Sequence, residues 1–318
     1  MGRSPDSALS LSRLERLLIF HDLLLRDSAR NRAFRRALAA RVAPGASVLD
    51  IGAGTGLWAI EAARRGASRV VAIEKEPLLV SLIERLAIEN GVADRVQVVL
   101  GDSRRVALPR QFDLIVSETV GNLGFDEGIL SLVADARARF LRPGGAVIPD
   151  AIALMAAPAH EGWRPPLRAE SFRSLALHVP REPGRRRIRL LAPPKALARI
   201  RLDAGPPRPR LDLSRLRGRW RVRDAGAIDA FMVWVEMELA PGIRLSTRSG
   251  TSWSPALYGV ESLGTGTGAA EFRLSLAGKE SRWHVQLETT RATVARSYSP
   301  LFAYGSLRSA RAVSRPEG

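Results

Sequence analysis

Two glutamates, Glu118 and Glu127, lie nine residues apart in the stretch SETVGNLGFDEGI, which spans residues 117–129. The stretch follows an apolar run at 112–116 that has the composition of a buried strand. Two carboxylates that converge on a cationic group bind it by charge-assisted hydrogen bonds and fix its orientation. The pair therefore predicts a pocket for a cationic, nitrogen-containing group at the end of a core strand.

A glycine-rich loop provides a second candidate site. It reads DIGAGTG over residues 50–56, after a short apolar run and before a segment with helical spacing. Glycines let the backbone approach a ligand closely at the N-terminus of a helix. Gly52, Gly54 and Gly56 follow the spacing G-x-G-x-G, and Leu57 stands where the nicotinamide fingerprint G-x-G-x-x-G needs glycine. The loop therefore favours a nucleotide-like cofactor other than NAD.

Both candidates belong to a segment in which predicted strands and helices alternate. One or two helices are expected over residues 8–41, and the strands that follow are continuously apolar, which is typical of a parallel sheet covered on both faces. In such a sheet the ligand binds beyond the carboxyl ends of the strands. Four acidic residues stand at predicted strand ends: Asp50, Glu74, Asp102 and Glu118.

The pattern changes after about residue 150. Residues 160–227 are rich in proline and arginine, and alternating apolar positions from 229 onward predict β-hairpins. We expect two domains. Residues 1–150 form N-terminal helices and an α/β Rossmann-like domain, and residues 151–318 form an antiparallel, β-barrel-like domain.

The composition limits the classes of function. The chain has no cysteine, which excludes disulfides and thiolate metal sites, and its four histidines lack metal-ligand spacing, so no metal is expected. No apolar run is long enough to span a bilayer, and a cytoplasmic protein without membrane partners is predicted. The formal charge of +17 leaves a nucleic-acid partner open. It is not favoured, because the arginines are spread along the chain rather than alternating with aromatic residues.

The motifs together resemble those of the protein arginine methyltransferases. HDLLLRDSAR at 21–30 is similar to the family's segment H-E-x-M-L-x-D-x-x-R, and SETVGNLGFDE at 117–127 is similar to its double-E loop, with the same interval between the glutamates. The match continues through VLDIGAGTG, VVAIE and LRPGGAVIPD. The β-rich second half fits the barrel domain of that family.

The resemblance implies an S-adenosylmethionine-dependent N-methyltransferase that acts on a protein or peptide. Arg30 would bind the methionine carboxylate and Glu74 the ribose, while Glu118 and Glu127 would be catalytic and hold the substrate guanidinium. The expected cofactor-binding residues are Arg30, Asp50, Gly52, Gly54, Gly56, Glu74, Asp102, Ser103 and Glu118.

One motif departs from the family pattern and leaves the substrate open. The family's Thr-His-Trp loop is similar to Thr251, Ser252 and Trp253, with serine in place of histidine. Alternatives to arginine are therefore an amine of a ribosomally made peptide, and ribosomal protein or RNA. RNA bases usually stack on an aromatic residue, which the residues after the fourth predicted strand do not supply.

A homodimer is also implied by the resemblance. Residues 160–190 stand where the family inserts a dimerisation arm, which is short in this chain. Its expected contacts are Phe172, Leu175, Leu177 and Val179.

Overall fold

The computed structural model describes most of the chain. The described residues are 12–109, 111–121, 123–125, 127–162, 188–203, 212–248, 250–260, 267–277, 280–289 and 293–298. The chain divides into two compact units. The first comprises Met1–Met155, Ala196–Leu211 and Val233–Pro255, and the second comprises Ala156–Lys195, Asp212–Met232 and Ala256–Gly318. Both units include segments from the second half of the chain, and the division into continuous domains at residue 150 stays a prediction.

The first unit begins with two helices, α1 (Arg13–Arg26) and α2 (Ser28–Arg41), and continues with alternating strands and helices. These are β1 Ser47–Ile51, α3 Leu57–Arg64, β2 Arg69–Glu74, α4 Pro77–Glu89, β3 Val96–Leu100, β4 Phe112–Ser117, α5 Ile129–Arg139 and β5 Leu141–Ile148. The five strands form one parallel sheet in the order β3-β2-β1-β4-β5.

The local sequence explains where these elements form and end. Strands β1, β2 and β4 are buried almost throughout, because helices cover both faces of a parallel sheet and apolar residues must run continuously. Pro77 occupies the first turn of α4, where a missing N–H costs nothing. Helices α3 and α5 each follow a glycine with left-handed backbone, Gly56 and Gly128.

The rest of the chain is rich in strands. They are β6 Ala151–His160, β7 Arg189–Leu190, β8 Lys195–Arg201, β9 Leu216–Val222, β10 Ala230–Ala240, β11 Ile243–Ser246, β12 Ala256–Gly259, β13 Gly268–Ala277, β14 Glu280–Thr289 and β15 Thr293–Tyr298. One sheet has the order β11-β10-β6-β7, with β12 paired to β10 and β8 to β6, and another has the order β15-β14-β13-β9.

Alternating burial marks the four-stranded sheet of the second unit. In β9 the sequence LRGRWRV places apolar residues inward and three arginines outward, the period of two expected for a strand with one solvated face. Beneath it, Phe231 stacks on Phe272 with 4.8 Å between ring centroids.

The fold class predicted from the sequence is confirmed, with a Rossmann-like parallel sheet preceded by helices and followed by antiparallel β structure. The proposed dimerisation arm lies outside the described residues, apart from its ends. Among the described helices, none is both long and apolar enough to cross a membrane.

Candidate active site

The acidic candidates meet at one edge of the parallel sheet. The strand order places β3, β2, β1 and β4 side by side, and the carboxyl ends of parallel strands lie at the same edge. Asp50 and Glu74 stand at the ends of β1 and β2, Asp102 follows β3 closely, and Glu118 directly follows β4. This edge is the candidate active site.

The glycine loop fits tightly under its neighbours at this edge. Gly52 and Gly54 both have left-handed backbone, with φ of 68° and 59°. A Cβ atom at Gly52 would lie 2.8 Å from the Cγ2 atom of Thr119, and one at Gly54 would lie 3.0 Å from Cε1 of His21. A side chain at either position would therefore be strained, and it would collide with Thr119 of the double-E loop at Gly52 or press against His21 of α1 at Gly54.

Glu74 holds the glycine loop in place. Its Oε2 atom accepts a hydrogen bond from the backbone N–H of Gly54 at 2.8 Å, and its Oε1 atom accepts from Lys75 and Glu76 at 2.8 and 3.0 Å. Each carboxylate oxygen has two lone pairs, so Glu74 can still accept from a ligand hydroxyl. The side chain is buried at the loop, where the sequence analysis expected a ribose.

Asp50 is a completely buried acid with an unused acceptor. Its Oδ2 atom accepts from the N–H of Ala59 at 3.0 Å, while Oδ1 has no hydrogen-bond partner among the described residues. Burial, with smaller contributions from the charges of Glu74 and Glu118, raises the pKa of Asp50 to about 7. A buried acceptor of this kind is costly unless a ligand supplies a donor.

Arg30 is the central cation of the site and is only 4% exposed. Its Nη1 atom donates to the carbonyl of Leu24 at 3.1 Å and to Oδ1 of Asn31 at 2.9 Å. Its Nη2 atom forms an ion pair with Oε2 of Glu118. The Nε atom is buried and has no partner among the described residues, so one N–H of Arg30 remains available to an anionic ligand.

Aromatic rings enclose the guanidinium of Arg30. Its Cζ atom lies 5.2 Å from the ring centroid of Trp58, 5.7 Å from that of Trp253 and 6.0 Å from that of Phe34. Phe34 and Trp58 stack on each other with 4.8 Å between centroids. Cation–π attraction and exclusion of water both strengthen the electrostatic interactions of this arginine.

Glu118 and Glu127 have different environments. The side chain of Glu118 is 11% exposed and bound to Arg30. Burial raises the pKa of Glu118, and the attraction of Arg30 opposes that rise only in part. Glu127 is an exposed residue just before Gly128, the residue that precedes α5. The structure thus brings Glu118 to Arg30 and leaves Glu127 at the solvent side of the loop.

Asp102 and Ser103 lie beyond the end of β3. Asp102 accepts hydrogen bonds from Arg104, with Nη2 at 2.6 Å, and this arginine lowers the pKa of Asp102 to about 2. Ser103 is buried, and its carbonyl accepts from Nη1 of Arg139 at 3.0 Å. Their roles toward an adenine ring stay predictions.

Sequence reasoning assigned no role to Asp27 or Trp58. Asp27 accepts from the N–H of Arg30 at 2.9 Å and so caps α2. The signal was present, because an aspartate three residues before a buried helical residue has the spacing of an N-cap. Trp58 stands in an apolar helix where no local pattern distinguishes a core residue from one that contacts a buried arginine.

Comparisons with known proteins agree with this geometry. Residues 48–145 match the family model described as a methyltransferase domain. The arginine N(omega)-methyltransferase of Streptomyces achromogenes is 37% identical over 139 residues, which cover 42% of this chain and 38% of that protein. Protein arginine N-methyltransferase 1 of Dictyostelium discoideum is 33% identical over 42% of this chain and 40% of its own length. The chain therefore matches about two fifths of the length of these relatives.

Solved structures extend the similarity of fold over most of the chain. The PRMT1 enzyme–prozyme complex of Trypanosoma brucei matches 88% of this chain and 97% of the solved chain, with a TM-score of 0.74 and 19% identity. Protein arginine methyltransferase 10 of Arabidopsis thaliana matches 89% and 98%, with a TM-score of 0.73 and 18% identity.

Residues 48–145 are thus similar to a methyltransferase domain, and the parallel sheet that contains them has the Rossmann-like fold of the solved methyltransferases. More particularly, the chain resembles the protein arginine methyltransferases in sequence and shares their fold, which confirms the resemblance seen in its motifs.

Proposed function

We propose that this protein transfers a methyl group from S-adenosylmethionine to a guanidinium nitrogen of arginine in a peptide or protein. The observation that carries the proposal is the buried Arg30–Glu118 pair at the carboxyl edge of the sheet, beside the glycine loop. It puts a cation suited to the methionine carboxylate next to an anion suited to the substrate.

The unused polar atoms of the site fit this cofactor. Arg30 has a buried N–H on Nε for a carboxylate, and Asp50 has a buried Oδ1 acceptor that an ammonium group would satisfy. Glu74 retains acceptor capacity for a ribose hydroxyl, while Gly52 and Gly54 give the backbone close access to the ligand. The cofactor, when bound, supplies a methyl group attached to a positively charged sulfur.

The two glutamates are proposed to orient the acceptor. Glu118 would accept hydrogen bonds from the guanidinium and stay ionised, because a second positive charge near it offsets its burial. As the N–C bond forms and the C–S bond breaks, the nitrogen must lose a proton. Glu127 is exposed and would accept that proton and pass it to water. Replacement of Glu127 by Gln should abolish transfer, measured by release of S-adenosylhomocysteine, without weakening cofactor binding.

Arginine is the acceptor that the similarities support best. The relatives from S. achromogenes and D. discoideum are arginine methyltransferases by name, and no contact in the described site favours a peptide amine or RNA. We propose a homodimer as well, supported by the solved T. brucei relative, which is a heterotetrameric complex. Light scattering on the purified protein at several concentrations tests that assembly.

Isothermal titration with S-adenosylhomocysteine tests the cofactor site. Wild-type protein should bind it, and Glu74→Ala should weaken binding by about tenfold or more, since a buried acceptor to a ribose hydroxyl is lost together with the hydrogen bond to the glycine loop. Glu84→Ala, an exposed glutamate on α4, serves as the control and should bind as wild type does. Absence of binding by the wild-type protein would refute the proposal.

A further inference from the structure

Ser252 connects a distant loop to the junction between α1 and α2. Its backbone N–H and its hydroxyl both donate to Oδ2 of Asp27, at 2.5 and 2.8 Å. Ser252 itself is exposed, but the carboxylate that it binds is 7% exposed. Two donors on one buried oxygen form a defined contact rather than a chance surface encounter.

The other oxygen of Asp27 controls the first turn of α2. Oδ1 accepts from the N–H of Arg30 at 2.9 Å, and the backbone N–H of Asp27 donates to the carbonyl of Leu24 at the end of α1. A carboxylate at this position satisfies an otherwise free helix N–H and interacts favourably with the helix dipole. Asp27 therefore fixes where α1 ends, where α2 begins and how Arg30 is presented.

The same loop reaches Arg30 by a second route. Trp253, the residue after Ser252, is buried with its ring centroid 5.7 Å from the guanidinium carbon of Arg30. Ser252 thus holds the backbone of Arg30 through Asp27, while Trp253 contacts its side chain. Arg30 in turn is bound to Glu118.

We infer that Ser252 is a positioning residue for Arg30, and hence for the proposed cofactor carboxylate and for Glu118. The inference rests on the proposed function. Serine stands here where the resembling family has histidine, and its short side chain lets N–H and O–H bind the same carboxylate oxygen. The loop at 251–253 and the arginine at 30 therefore act as one unit.

Removal of the hydroxyl tests this inference. Ser252→Ala keeps the backbone N–H bond and loses the O–H bond, so the Kd for S-adenosylhomocysteine should rise about three- to tenfold, the effect of one charge-assisted bond that water replaces in part. Ser252→Thr retains the hydroxyl and should restore a Kd near that of wild type. Ser68→Ala is the matched control, because it removes a hydroxyl bonded to a backbone carbonyl, that of Gly45 at 2.7 Å, away from the site.

A double-mutant cycle separates positioning from a general structural role. If the hydroxyl acts through Arg30, Ser252→Ala should change the Kd less than about twofold in an Arg30→Lys background. A Kd for Ser252→Ala equal to that of wild type, or an undiminished effect in the Arg30→Lys background, would overturn the inference. A wild-type protein that binds no cofactor would instead refute the proposed function, so the two failures are distinguishable.

Discussion

Two largely buried glutamates of this protein pair with arginine, and their pKa values are shifted in opposite directions. Glu118, at the edge of the parallel sheet, has an 11% exposed side chain and one guanidinium partner, Arg30. Glu271, on β13 in the second unit, has a 7% exposed side chain and ion pairs with Arg217, Arg219 and Arg273. The pKa of Glu118 is raised, chiefly by burial, whereas three arginines lower the pKa of Glu271 to about 2.

The difference lies in how completely each carboxylate is neutralised. Arg219 stands directly across from Glu271 in the β9–β13 pair, and Arg273 lies two residues along the same strand, so the carboxylate is surrounded by donors. Glu271 connects two strands, and its negative charge is neutralised by the three arginines without a ligand. Glu118 is short of positive charge in a dry site, which is the condition that favours capture of a cationic substrate.

The largest expected effect separates the two carboxylates by function. Glu118→Gln should lower kcat by about 100-fold or more, because an electrostatic contact to the reacting group is lost in a water-excluded site. Glu271→Gln removes the same charge in the second unit and should leave kcat within about twofold of wild type. Steady-state assays of S-adenosylhomocysteine release measure both. Comparable losses of kcat in the two variants would show that Glu118 has no role in catalysis that Glu271 lacks.

The arginines should differ in the same way. Arg30→Lys should raise the Kd for the cofactor by about tenfold or more, since lysine cannot reproduce the several directed N–H bonds of a guanidinium. Arg41→Lys alters another arginine of the first unit, paired with Asp150 at 2.7 Å, and should affect stability rather than cofactor binding. Titration calorimetry and thermal unfolding of both variants provide the measurement. A cofactor Kd changed equally in both would contradict the role of Arg30.

The pH dependence of cofactor binding should follow Asp50. This acid is protonated below its raised pKa of about 7, and a positively charged cofactor prefers the ionised form. Binding should therefore be about tenfold weaker at pH 6 than at pH 8. His21 lies next to Gly54, and its pKa is lowered from the ordinary value, mainly by burial. His21 is therefore neutral at pH 8, the upper end of the range compared. In Asp50→Asn the affinity should vary little with pH; an unchanged pH profile in that variant would exclude Asp50 as the cause.

The smallest effect concerns stability in acid. Because the pKa of Glu271 is depressed, its ion pairs stabilise the fold above its ordinary pKa, and that contribution is lost as the pH falls from about 4.5 toward 2. We expect this contribution to the free energy of unfolding to be on the order of 2 kcal/mol. It is smaller than that of fully buried ion pairs because the arginines are half exposed. Urea unfolding at pH 6 and pH 3 should show a smaller drop in the free energy of unfolding for Glu271→Gln than for wild type. Equal decreases in the free energy of unfolding would show that the acid-sensitive contact does not involve Glu271.

Local sequence patterns predicted the sheet and its edge, but not the contacts between residues that are far apart in the sequence. The glycine loop and the acids at strand ends are short-range signals, and parallel topology alone makes Asp50, Glu74 and Glu118 neighbours. The bond between Asp27 and Ser252 joins residues 225 positions apart, and nothing in either local sequence specifies the other. The sequence interval likewise paired Glu118 with Glu127 without indicating that the side chain of Glu118 is only 11% exposed and that Glu127 is exposed.

The three arginines around Glu271 illustrate the same limit. Two of them, Arg217 and Arg219, alternate in β9 and predict an outward face. The carboxylate that they share with Arg273 lies on β13, so their contact with it depends on the register of the β9–β13 pair. A count of charges in the sequence therefore cannot distinguish a neutralised glutamate from one that still attracts a cation.

The central claim is methyl transfer to a guanidinium nitrogen at the Glu118 site. The most direct test incubates wild-type protein and Glu118→Gln with S-adenosylmethionine carrying a labelled methyl group, an arginine-containing peptide, the same peptide with lysine in place of arginine, and RNA. Fragmentation mass spectrometry then locates the label. We expect label on the arginine side chain with wild type only, and a Glu118→Gln protein that still binds cofactor. Label on lysine or RNA alone, no label with cofactor-bound wild type, or equal labelling by Glu118→Gln would contradict it.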